Sequence, residues 1–300
     1  MIVPGFRCGY IALVGRPNVG KSTLLNRLLG QKISITSKRP QTTRHRILGI
    51  KTLDTAQFVY VDTPGLHRYA GRAMNRQMNR EATRALQEVD VVVFMVEGLR
   101  WTEDDDLVLK ELASVSRPVV LAVNKVDLIS DKQSLLPGLQ SLSQKRDFAQ
   151  IIPLSASKGQ NVAELEAVIE SLLPESGPFF PEDQVTDRSE RFLVAERVRE
   201  KLFRKLGKEL PYGLTVEIER FRRERNIIHI HALIWVERQS QKAIVIGRQG
   251  RVLKEVGREA RTEIESLLDS RVNLKLWVKV KEGWADDERA LRSLGYLDED

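Results

Sequence analysis

The stretch Gly15-Arg16-Pro17-Asn18-Val19-Gly20-Lys21-Ser22-Thr23 decides the organisation of the first half of this chain. The apolar run Tyr10–Val14 precedes it and predicts a buried strand, and leucines at helical spacing follow it. Glycines in a strand-to-helix turn let successive backbone N–H groups point at one anion, and the N-terminus of the helix adds its positive end. The stretch therefore predicts a phosphate-binding loop, in which Lys21 reaches the phosphates and Ser22 ligates Mg²⁺.

The composition predicts a globular protein of two domains. The chain has 300 residues, of which 42% are hydrophobic and 30% are charged. No apolar run approaches the length of a membrane span and the N-terminus lacks a signal pattern, so we expect a cytoplasmic location. The single cysteine, Cys8, excludes an internal disulfide framework and is interpreted as a small residue near the first strand.

The net charge of +7 is distributed unevenly along the chain. Residues 188–281 contain 23 Lys and Arg against 13 Asp and Glu, a balance of +10, and residues 282–300 are acidic. A basic domain suggests a polyanionic partner, most simply a nucleic acid. A solvated surface with an imbalance of sign is the alternative interpretation.

Apolar strands alternate with amphipathic helices through residues 1–173, and this order predicts a doubly wound α/β domain. Residues 174–187 contain three prolines and a glycine and are interpreted as a linker or docking strap. Residues 188–281 predict a helix, two strands, a helix, a Gly-containing loop, a long helix and a last strand. The sequence therefore predicts a smaller α+β domain at 188–281, followed by an acidic tail at 282–300.

An aspartate follows the apolar strand Phe58–Val61, in the sequence Asp62-Thr63-Pro64-Gly65. In P-loop enzymes such an aspartate helps to hold the metal ion, and a nearby glycine lets the backbone approach the γ-phosphate. A strand that simply ends in a turn is the alternative, which the upstream loop makes the weaker one. We assign all four residues to phosphate binding, together with residues 15–23.

The apolar run Pro118–Val123 ends in Asn124-Lys125-Val126-Asp127. Ligands bind at the carboxyl ends of strands in open α/β sheets. A carboxylate at position 127 can accept hydrogen bonds from N1–H and the N2 amino group of guanine, whereas adenine offers neither donor. We expect Asn124 to hold the loop and face O6 and N7, and the stem of Lys125 to cover the base.

Three residues after the next strand complete the predicted guanine site. A backbone N–H of Ser155-Ala156 is expected to contact O6, and Lys158 lies nearby in the sequence. The three motifs occur in order at the ends of successive strands, and together they predict a guanine nucleotide as the ligand.

Five arginines recur every four residues after the second motif, at Arg68, Arg72, Arg76, Arg80 and Arg84. Like charges at this spacing cost a few tenths of a kcal/mol per pair in an isolated helix. The stripe suggests either an acidic partner or a plain solvated face, and we favour the solvated face.

The sequence Gly247-Arg248-Gln249-Gly250 joins two predicted helices of the basic domain. In KH domains such a loop clamps the backbone of about four single-stranded nucleotides. We expect RNA binding by this loop and its flanks, which comprise Lys242, Ile246, Gly247, Arg248, Gln249, Gly250, Arg251 and Lys254. Ile244, Val245 and Ile246 are candidates for base contacts, although core packing is expected for at least one of them.

Four further side chains of the second domain are interpreted as structural. Trp235 and Trp277 lie on predicted strands and are expected in the core rather than as base platforms. His229 and His231 share one strand face without Cys or acidic partners at ligand spacing, so we do not expect them to bind a metal.

With these motifs in order, the chain resembles Ras-like GTPases of the translational class. Together with Pro40-Gln-Thr-Thr-Arg-His-Arg46 and the second domain, it resembles the bacterial Era-like subfamily over nearly its whole length. The resemblance implies an α/β Ras-like P-loop GTPase domain, with a mixed, mostly parallel sheet and helices on both faces, followed by a type II KH domain. It also implies hydrolysis of GTP with Mg²⁺.

The resemblance further assigns roles to individual residues. Mg²⁺ would be held by Ser22, by Thr43 of the switch loop, with Thr42 as the alternative, and by Asp62 through water. The N–H of Gly65 would contact the γ-phosphate. We expect Asn18, Lys21, Thr43 and Gly65 to act in hydrolysis.

The resemblance also implies partners for the chain. These are GTP and GDP, the 3′ end of small-subunit ribosomal RNA, the assembling small subunit and, peripherally, the inner face of the cell membrane. We expect a monomer.

Leu66 follows Gly65 at the place where Ras-like enzymes have a water-orienting glutamine. Leucine cannot orient water, so we expect slow hydrolysis without another element. Asn18 resembles the asparagine that related GTPases use to help hold an activating K⁺, which would supply positive charge to the transition state. The alternative interpretation of Asn18 is a turn former.

Two other functions remain as alternatives. A metabolic phosphotransferase would need an acceptor pocket and a catalytic base, and the sequence shows no such constellation. A scaffold or checkpoint that binds GTP and RNA with negligible turnover would carry the same motifs.

Overall fold

The computed structural model describes residues 5–37, 39, 41–65, 73–207, 213–294 and 296. These residues form two compact units. The first contains the described residues up to 65 together with 75–187, and the second contains residues 73 and 74 and the described residues from 188 onward. Each unit has its own buried apolar core.

A six-stranded sheet forms the centre of the described part of the first unit. Its strands are β1 (Arg7–Val14), β2 (Ile47–Thr52), β3 (Ala56–Asp62), β4 (Val91–Glu97), β5 (Val119–Asn124) and β6 (Gln150–Pro153). Their spatial order is β2-β3-β1-β4-β5-β6, and all neighbours are parallel except β2 and β3. The carboxyl ends of β1, β3, β4, β5 and β6 therefore meet at one edge, which is where the predicted motifs begin.

Helices cover both faces of this sheet. They are α1 (Lys21–Leu29), α2 (Ala73–Gln87), α3 (Glu103–Leu112), α4 (Leu135–Ser143) and α5 (Val162–Leu172). The buried leucines of α1 and α5 pack on one face, and apolar residues of α2, α3 and α4 pack on the other. Because both faces are covered, β4 and β5 are apolar along nearly their whole length rather than alternating.

The segment 174–187 packs against the sheet of the first unit. The backbone forms two isolated antiparallel β-bridges with the sheet, Arg7 with Glu175 and Gly49 with Thr186. The N–H of Ile50 also donates to the carbonyl of Val185 over 2.8 Å. Phe179 stacks on Tyr10 with ring centroids 5.5 Å apart. The proline-rich segment is therefore docked on the first unit, and we call residues 174–187 the strap.

The described residues of the second unit form a three-stranded sheet, and three of its helices pack on one face of that sheet. Its elements are α6 (Glu190–Lys205), β7 (Leu214–Glu224), β8 (Ile227–Val236), α7 (Gln239–Ile246), α8 (Arg251–Leu268), β9 (Arg271–Val280) and α9 (Glu288–Ser293). β7 pairs antiparallel with β8, and β8 pairs parallel with β9. Alternate residues of β8 and β9 pack with α6, α7 and α8 in one core. β7 contains a bulge between Ile218 and Arg220.

The segment after Lys281, predicted as an acidic tail, contributes apolar residues to a small buried cluster. Trp284, Ala285, Leu291 and Tyr296 pack with Met74 of the same unit. The Tyr296 hydroxyl lies 2.9 Å from that of Thr215, and the indole N–H of Trp284 donates to the carbonyl of Gly213. The apolar residues are interspersed among acids, so a prediction based on charge missed this cluster.

Several side chains can be compared with their predicted surroundings. Cys8 is fully buried, as is Val245, which confirms that at least one residue of Ile244–Ile246 belongs to the core. The core prediction for Trp277 is wrong, since its side chain is 42% exposed. Arg76, Arg80 and Arg84 lie on the exposed side of α2, which both a solvated face and a face for an acidic partner require. Leu66, Arg68, Arg72 and Pro40 lie outside the described residues.

No helix in the described ranges is both long enough and apolar enough to span a membrane.

Candidate functional site

The predicted phosphate loop connects β1 to α1, and its glycines are sterically required. Gly15 has a φ of +150°, and a Cβ there would lie 2.4 Å from the carbonyl oxygen of Met95. Gly20 has a φ of +111°, and a Cβ there would lie 2.3 Å from the side-chain nitrogen of Asn124. No side chain caps the N-terminus of α1. The loop therefore leaves the first N–H groups of α1 available to an anion.

Lys21 lies inside this loop and is almost completely buried. Its Nζ donates to the carbonyl oxygens of Gly15 over 2.8 Å and of Arg16 over 3.1 Å. Burial lowers the pKa of Lys21 to about 8, although the charge of Asp62 acts in the opposite direction. A buried ammonium with only carbonyl acceptors gains from the approach of a phosphate.

Three hydroxyl groups converge on one carboxylate oxygen beside the loop. The Oδ2 atom of Asp62 accepts from Ser34 over 2.8 Å, from Ser22 over 2.9 Å and from Thr43 over 3.4 Å. The hydroxyls of Ser22 and Thr43 lie 2.8 Å apart. The structure brings Thr43 into this group, whereas the hydroxyl of Thr42 donates to the carbonyl of Arg39.

The second oxygen of Asp62 is buried and has no hydrogen-bond partner. Burial raises the pKa of Asp62, while the hydroxyl of Ser34 and the charge of Lys21 lower it. Hydroxyl and carboxylate oxygens are ligands that Mg²⁺ accepts, with phosphate oxygens and water completing its shell. The donor set of Ser22, Thr43 and Asp62 therefore fits such an ion. Among the described residues, no group of three or more His, Cys, Asp or Glu is placed to hold a metal by itself.

The segment after Asp62 lies against the phosphate loop. A Cβ at Gly65 would lie 3.1 Å from the backbone nitrogen of Pro17, so glycine permits the close approach. The Thr63 hydroxyl donates to the carbonyl of Leu13 over 3.0 Å and thereby ties the segment to β1. The Thr63 side chain thus has a structural partner, and the backbone of this segment faces the loop.

The predicted base loops come together at the ends of β5 and β6. The Asn124 amide donates to the carbonyl of Val19 over 2.7 Å, and its Oδ1 accepts from the N–H of Ala156 over 2.9 Å. Asn124 therefore connects the phosphate loop to the base loop at Ala156, whereas the sequence predicted only that it would hold its own loop. The N–H of Ala156 bonds to Asn124 in this structure, which differs from its predicted contact with guanine O6.

Two charged groups of the base motifs have no hydrogen bond or ion pair within the described part of the chain. They are the carboxylate of Asp127, which is half-buried in the 3₁₀ turn Val126–Leu128, and the exposed ammonium of Lys158. The N–H of Lys158 donates to the Ser155 hydroxyl, which shapes that loop. A carboxylate left without a protein partner beside a phosphate loop is suited to bind a base.

The predicted RNA loop has the backbone of a turn open to solvent. Gly247, Gln249 and Gly250 have φ values of +72°, +53° and +74°. A Cβ at Gly250 would meet no atom within 4 Å, whereas one at Gly247 would lie 2.4 Å from Val252. Arg248, Gln249, Arg251 and Lys254 are exposed, and Lys242 and Ile246 are half-buried.

A groove of about 520 Å³ begins at Gly250 and runs between α8 and β9. Leu253, Leu274 and Leu276 form the apolar floor, and Arg258 and Arg261 add two cations that were not predicted from the sequence. The residues with predicted RNA contacts therefore lie at one end of a groove with an apolar floor and a basic rim.

Two family models match the chain, one for each unit. A model described as "50S ribosome-binding GTPase" matches residues 10–125, and a KH domain model matches residues 209–285. GTPase Era of Ectopseudomonas mendocina is 59% identical over 98% of this chain and 99% of its own length. GTPase Era of Pseudomonas aeruginosa is 60% identical over 99% of this chain and 97% of its own length.

The chain belongs to the Era family of GTPases.

Two solved structures of Era have the same fold as this chain. The structure of a point variant of Aquifex aeolicus Era bound to GDP·AlF4⁻ has a TM-score of 0.93 and 39% sequence identity to this chain. The match covers 97% of this chain and 99% of that one. The complex of Era with MgGDPNP and nucleotides 1506–1542 of 16S ribosomal RNA gives the same values. The predicted fold, a Ras-like GTPase domain with a mixed, mostly parallel sheet followed by a KH domain, is therefore confirmed, and this Era-family chain is a GTPase.

An acidic residue that was not predicted from the sequence connects two loops of this site. Glu97, at the end of β4, accepts from Arg16 of the phosphate loop over 3.2 Å and forms an ion pair of 2.9 Å with Lys125. Burial raises the pKa of Glu97, but Lys125 and Arg16 outweigh this effect and lower it. Arg16 also donates to the buried carboxylate of Asp105 at the start of α3. Glu97 has no motif around it, so only the fold reveals its position.

Two more residues that support the Era site come from α1 and the loop after it. Arg27 donates to the carbonyls of Ala156 over 3.2 Å and Ser157 over 2.6 Å, and so ties α1 to the base loop. Ser34 donates to Asp62 as described above, and the side chain of Asn26 holds its backbone. These contacts join residues far apart in sequence, which gives no local signal.

Proposed function

We propose that this chain is a GTP-driven switch that binds the 3′ end of small-subunit ribosomal RNA through its KH domain and assists assembly of the small subunit. The observation that carries the proposal is the likeness, over both units, to the solved complex of Era with MgGDPNP and 16S ribosomal RNA. The family model named for binding to the 50S subunit covers only residues 10–125, in the first unit. The solved complex contains 16S ribosomal RNA, which belongs to the small subunit, and matches both units. We therefore favour the small subunit.

The RNA would lie on the loop 247–250 and in the groove between α8 and β9. The open space at Gly250 admits a phosphate to the backbone, and Arg248, Arg251 and Lys254 supply positive charge around it. Leu274 and Leu276 offer an apolar floor for bases. Lys242, Ile246 and Gln249 flank this path.

GTP would bind at the carboxyl edge of the first sheet. Residues 15–23 and 62–65 would surround its phosphates, with Lys21 as the buried cation. Asp127 would accept from N1–H and N2 of guanine, Lys125 would cover the base, and Asn124, Ser155, Ala156 and Lys158 would shape the pocket.

Mg²⁺ would be held by Ser22, Thr43 and Asp62, whose oxygens already converge and include the unpaired Oδ1 of Asp62. The ion supplies positive charge to the β- and γ-phosphates during hydrolysis. Lys21 and the N–H of Gly65 would add donors at the γ-phosphate, and Thr43 would couple the switch loop to its presence. Because GDP lacks the γ-phosphate, the contacts made to that phosphate would form only with GTP, and the chain would change conformation between its GTP-bound and GDP-bound states.

We also propose K⁺ as an activator, held in part by Asn18. The Asn18 side chain is exposed in the phosphate loop, while its φ of +67° equally fits a turn former. A monomer in the cytoplasm is proposed on the family resemblance and on the single, buried Cys8. Peripheral association with the membrane stays a prediction from the resemblance alone.

The experiment compares RNA and nucleotide binding in two glycine variants. Gly250→Asp places a negative charge where the phosphate would approach, at a position whose φ of +74° aspartate tolerates. Gly283→Asp is the matched control, because Gly283 has a φ of +66° and equally open surroundings. The probe is a synthetic 3′-terminal fragment of 16S ribosomal RNA, titrated with GDPNP or GDP bound to the protein.

The proposal expects Gly250→Asp to abolish RNA binding while GTP binding persists, and Gly283→Asp to bind RNA normally. It also expects a difference in RNA affinity between the GDPNP and GDP forms. Normal affinity and normal salt dependence in Gly250→Asp would contradict the clamp. Equal RNA affinity in both nucleotide forms would contradict the switch.

A further inference from the structure

The sheet of the second unit has a second face, turned away from α6, α7 and α8. Successive side chains of a strand point to opposite faces, and the even-numbered residues of β8 and β9 belong to the core. The odd-numbered residues therefore point the other way. We call six of them the outer face: Ile227, His229 and His231 of β8, and Arg271, Lys275 and Trp277 of β9.

The outer face exposes apolar and aromatic surface. Trp277 is 42% exposed and Ile227 is 40% exposed. The ring of His231 lies 5.0 Å from that of Trp277 at an interplanar angle of 63°, and so braces the indole from one side. A large indole held at the surface of an edge strand offers a flat surface on which a nucleobase can stack.

Positive charge flanks this indole. Lys275 pairs in register with His231, two residues before Trp277, and Arg271 pairs with Ile227. Neither cation has an ion pair or hydrogen bond within the described part of the chain, whereas the neighbouring Lys279 is paired with Glu219. Glu224, the acid near His229, already contacts Arg222 over 3.0 Å. The charge on the outer face is therefore available to a phosphate backbone.

The outer face is continuous with the groove on the other side of β9. β9 is the edge strand of the sheet formed by the described residues. Leu274 and Leu276 line the groove, while Lys275 and Trp277 alternate with them and point to the outer face. A nucleic-acid strand that leaves the groove across this edge meets Lys275 and Trp277 next.

We propose that the outer face is a second contact for single-stranded RNA, with a base stacked on Trp277 and a phosphate neutralised by Lys275. The inference rests on the proposed function, since it extends the path of the RNA bound by the loop 247–250. Sites for single-stranded RNA combine cations with a stacking side chain. The buried core of a protein–protein interface is instead depleted in charged residues, so the outer face favours RNA over a protein partner. The outer face gives affinity without reading a sequence, because every base has a stacking face.

The experiment uses two RNA lengths on the full chain. An unstructured oligonucleotide of about four nucleotides fills only the loop clamp, and one of about twelve, within the usual range of single-strand site sizes, extends beyond it. Trp277→Ala removes the stacking surface and Trp277→Phe retains one. Lys275→Ala removes the cation, and Arg292→Ala is its control, since Arg292 is an exposed cation of α9.

Trp277→Ala is expected to weaken the longer RNA about 5- to 150-fold, to leave the shorter RNA unchanged, and to be largely rescued in Trp277→Phe. Lys275→Ala is expected to reduce the slope of log affinity against log salt by about 0.7 for the longer RNA, and Arg292→Ala should not. Wild-type affinity of Trp277→Ala and Lys275→Ala for the longer RNA overturns the inference. So does an equal loss on both RNA lengths. The Gly250→Asp variant, which should lose both RNAs, tests the proposed function separately.

Discussion

The side chain of Asn124 lies between two loops and hydrogen-bonds to both, through Val19 of the phosphate loop and Ala156 of the base loop. Gly20 packs so closely on this amide that any side chain there would overlap it. The phosphate and base sites are thereby fixed relative to each other before a nucleotide binds. This arrangement reduces the ordering cost of binding.

The first prediction concerns that amide. Asn124→Ala leaves the carbonyl of Val19 and the N–H of Ala156 without partners in a buried place, which costs about 1–3 kcal/mol for each group. GTP and GDP affinity should both fall at least about tenfold, with a smaller loss for pyrophosphate, which does not span both loops. Isothermal titration with the three ligands measures this. An unchanged GDP affinity would contradict a linking role for Asn124.

The second prediction concerns Glu97, which forms ion pairs with Arg16 and Lys125. Glu97→Gln keeps the shape of the side chain but removes its charge. Because the group is partly exposed, each of the two pairs contributes about 0.2–1 kcal/mol. GTP and GDP affinity should therefore fall about 2- to 30-fold together, without a change in the rate of hydrolysis at saturating GTP.

Glu164→Gln is the matched control for this change, since Glu164 is exposed on α5 and forms no hydrogen bond or ion pair with the part of the chain that the structure describes. The readout is the dissociation rate of a fluorescent GDP analogue. A wild-type rate in Glu97→Gln would show that the ion pairs do not hold the loops.

The motifs were predictable from the sequence because their residues lie close together along the chain. Gly15 to Ser22 and Asn124 to Asp127 are recognised by their spacing, and the apolar runs before them predict the strands. Glu97, Arg27 and Gln57 could not be found in this way, because their partners lie far away in sequence. The prediction that Trp277 lies in the core was wrong for another reason. Alternation predicts a strand with two faces, but it does not tell which face the helices cover.

The third prediction tests the choice of base. Asp127→Asn removes an acceptor of two hydrogen bonds from guanine, each worth about 1.5–3 kcal/mol when the acceptor is charged. GTP affinity should fall about 10²- to 10⁴-fold, and xanthosine triphosphate should be preferred, because the asparagine amide can donate to its C2 carbonyl. Competition between the two nucleotides measures the preference. A variant that still prefers GTP would exclude Asp127 as the base-reading residue.

The fourth prediction concerns the strap. The fully buried Gln57 accepts from the N–H groups of Phe179 and Phe180 over 2.7 and 2.9 Å, and its amide donates to the carbonyl of Phe180 over 2.8 Å. Gln57→Leu leaves these backbone groups unpaired, and the free energy of unfolding should fall by about 2–4 kcal/mol.

Denaturation by urea, followed by circular dichroism, measures this loss. Gln140→Leu, an exposed position of α4, is the control and should change stability by less than about 0.5 kcal/mol. Equal stability of the two variants would mean that Gln57 does not hold the strap.

The last prediction separates the two interpretations of Asn18. Its φ of +67° is one that glycine adopts without strain, so Asn18→Gly preserves the turn and removes only the side chain. If Asn18 serves as a turn former alone, the variant should hydrolyse GTP at the wild-type rate in both K⁺ and Na⁺. If its side-chain carbonyl helps to hold K⁺, the wild type should be faster in K⁺ than in Na⁺, and the variant should lose that difference while binding GTP normally. Rates at saturating GTP in the two salts, at equal ionic strength, decide the matter. Equal wild-type rates in K⁺ and Na⁺ would remove the ion from the mechanism and leave the loop's own N–H groups and Lys21 as its sources of positive charge.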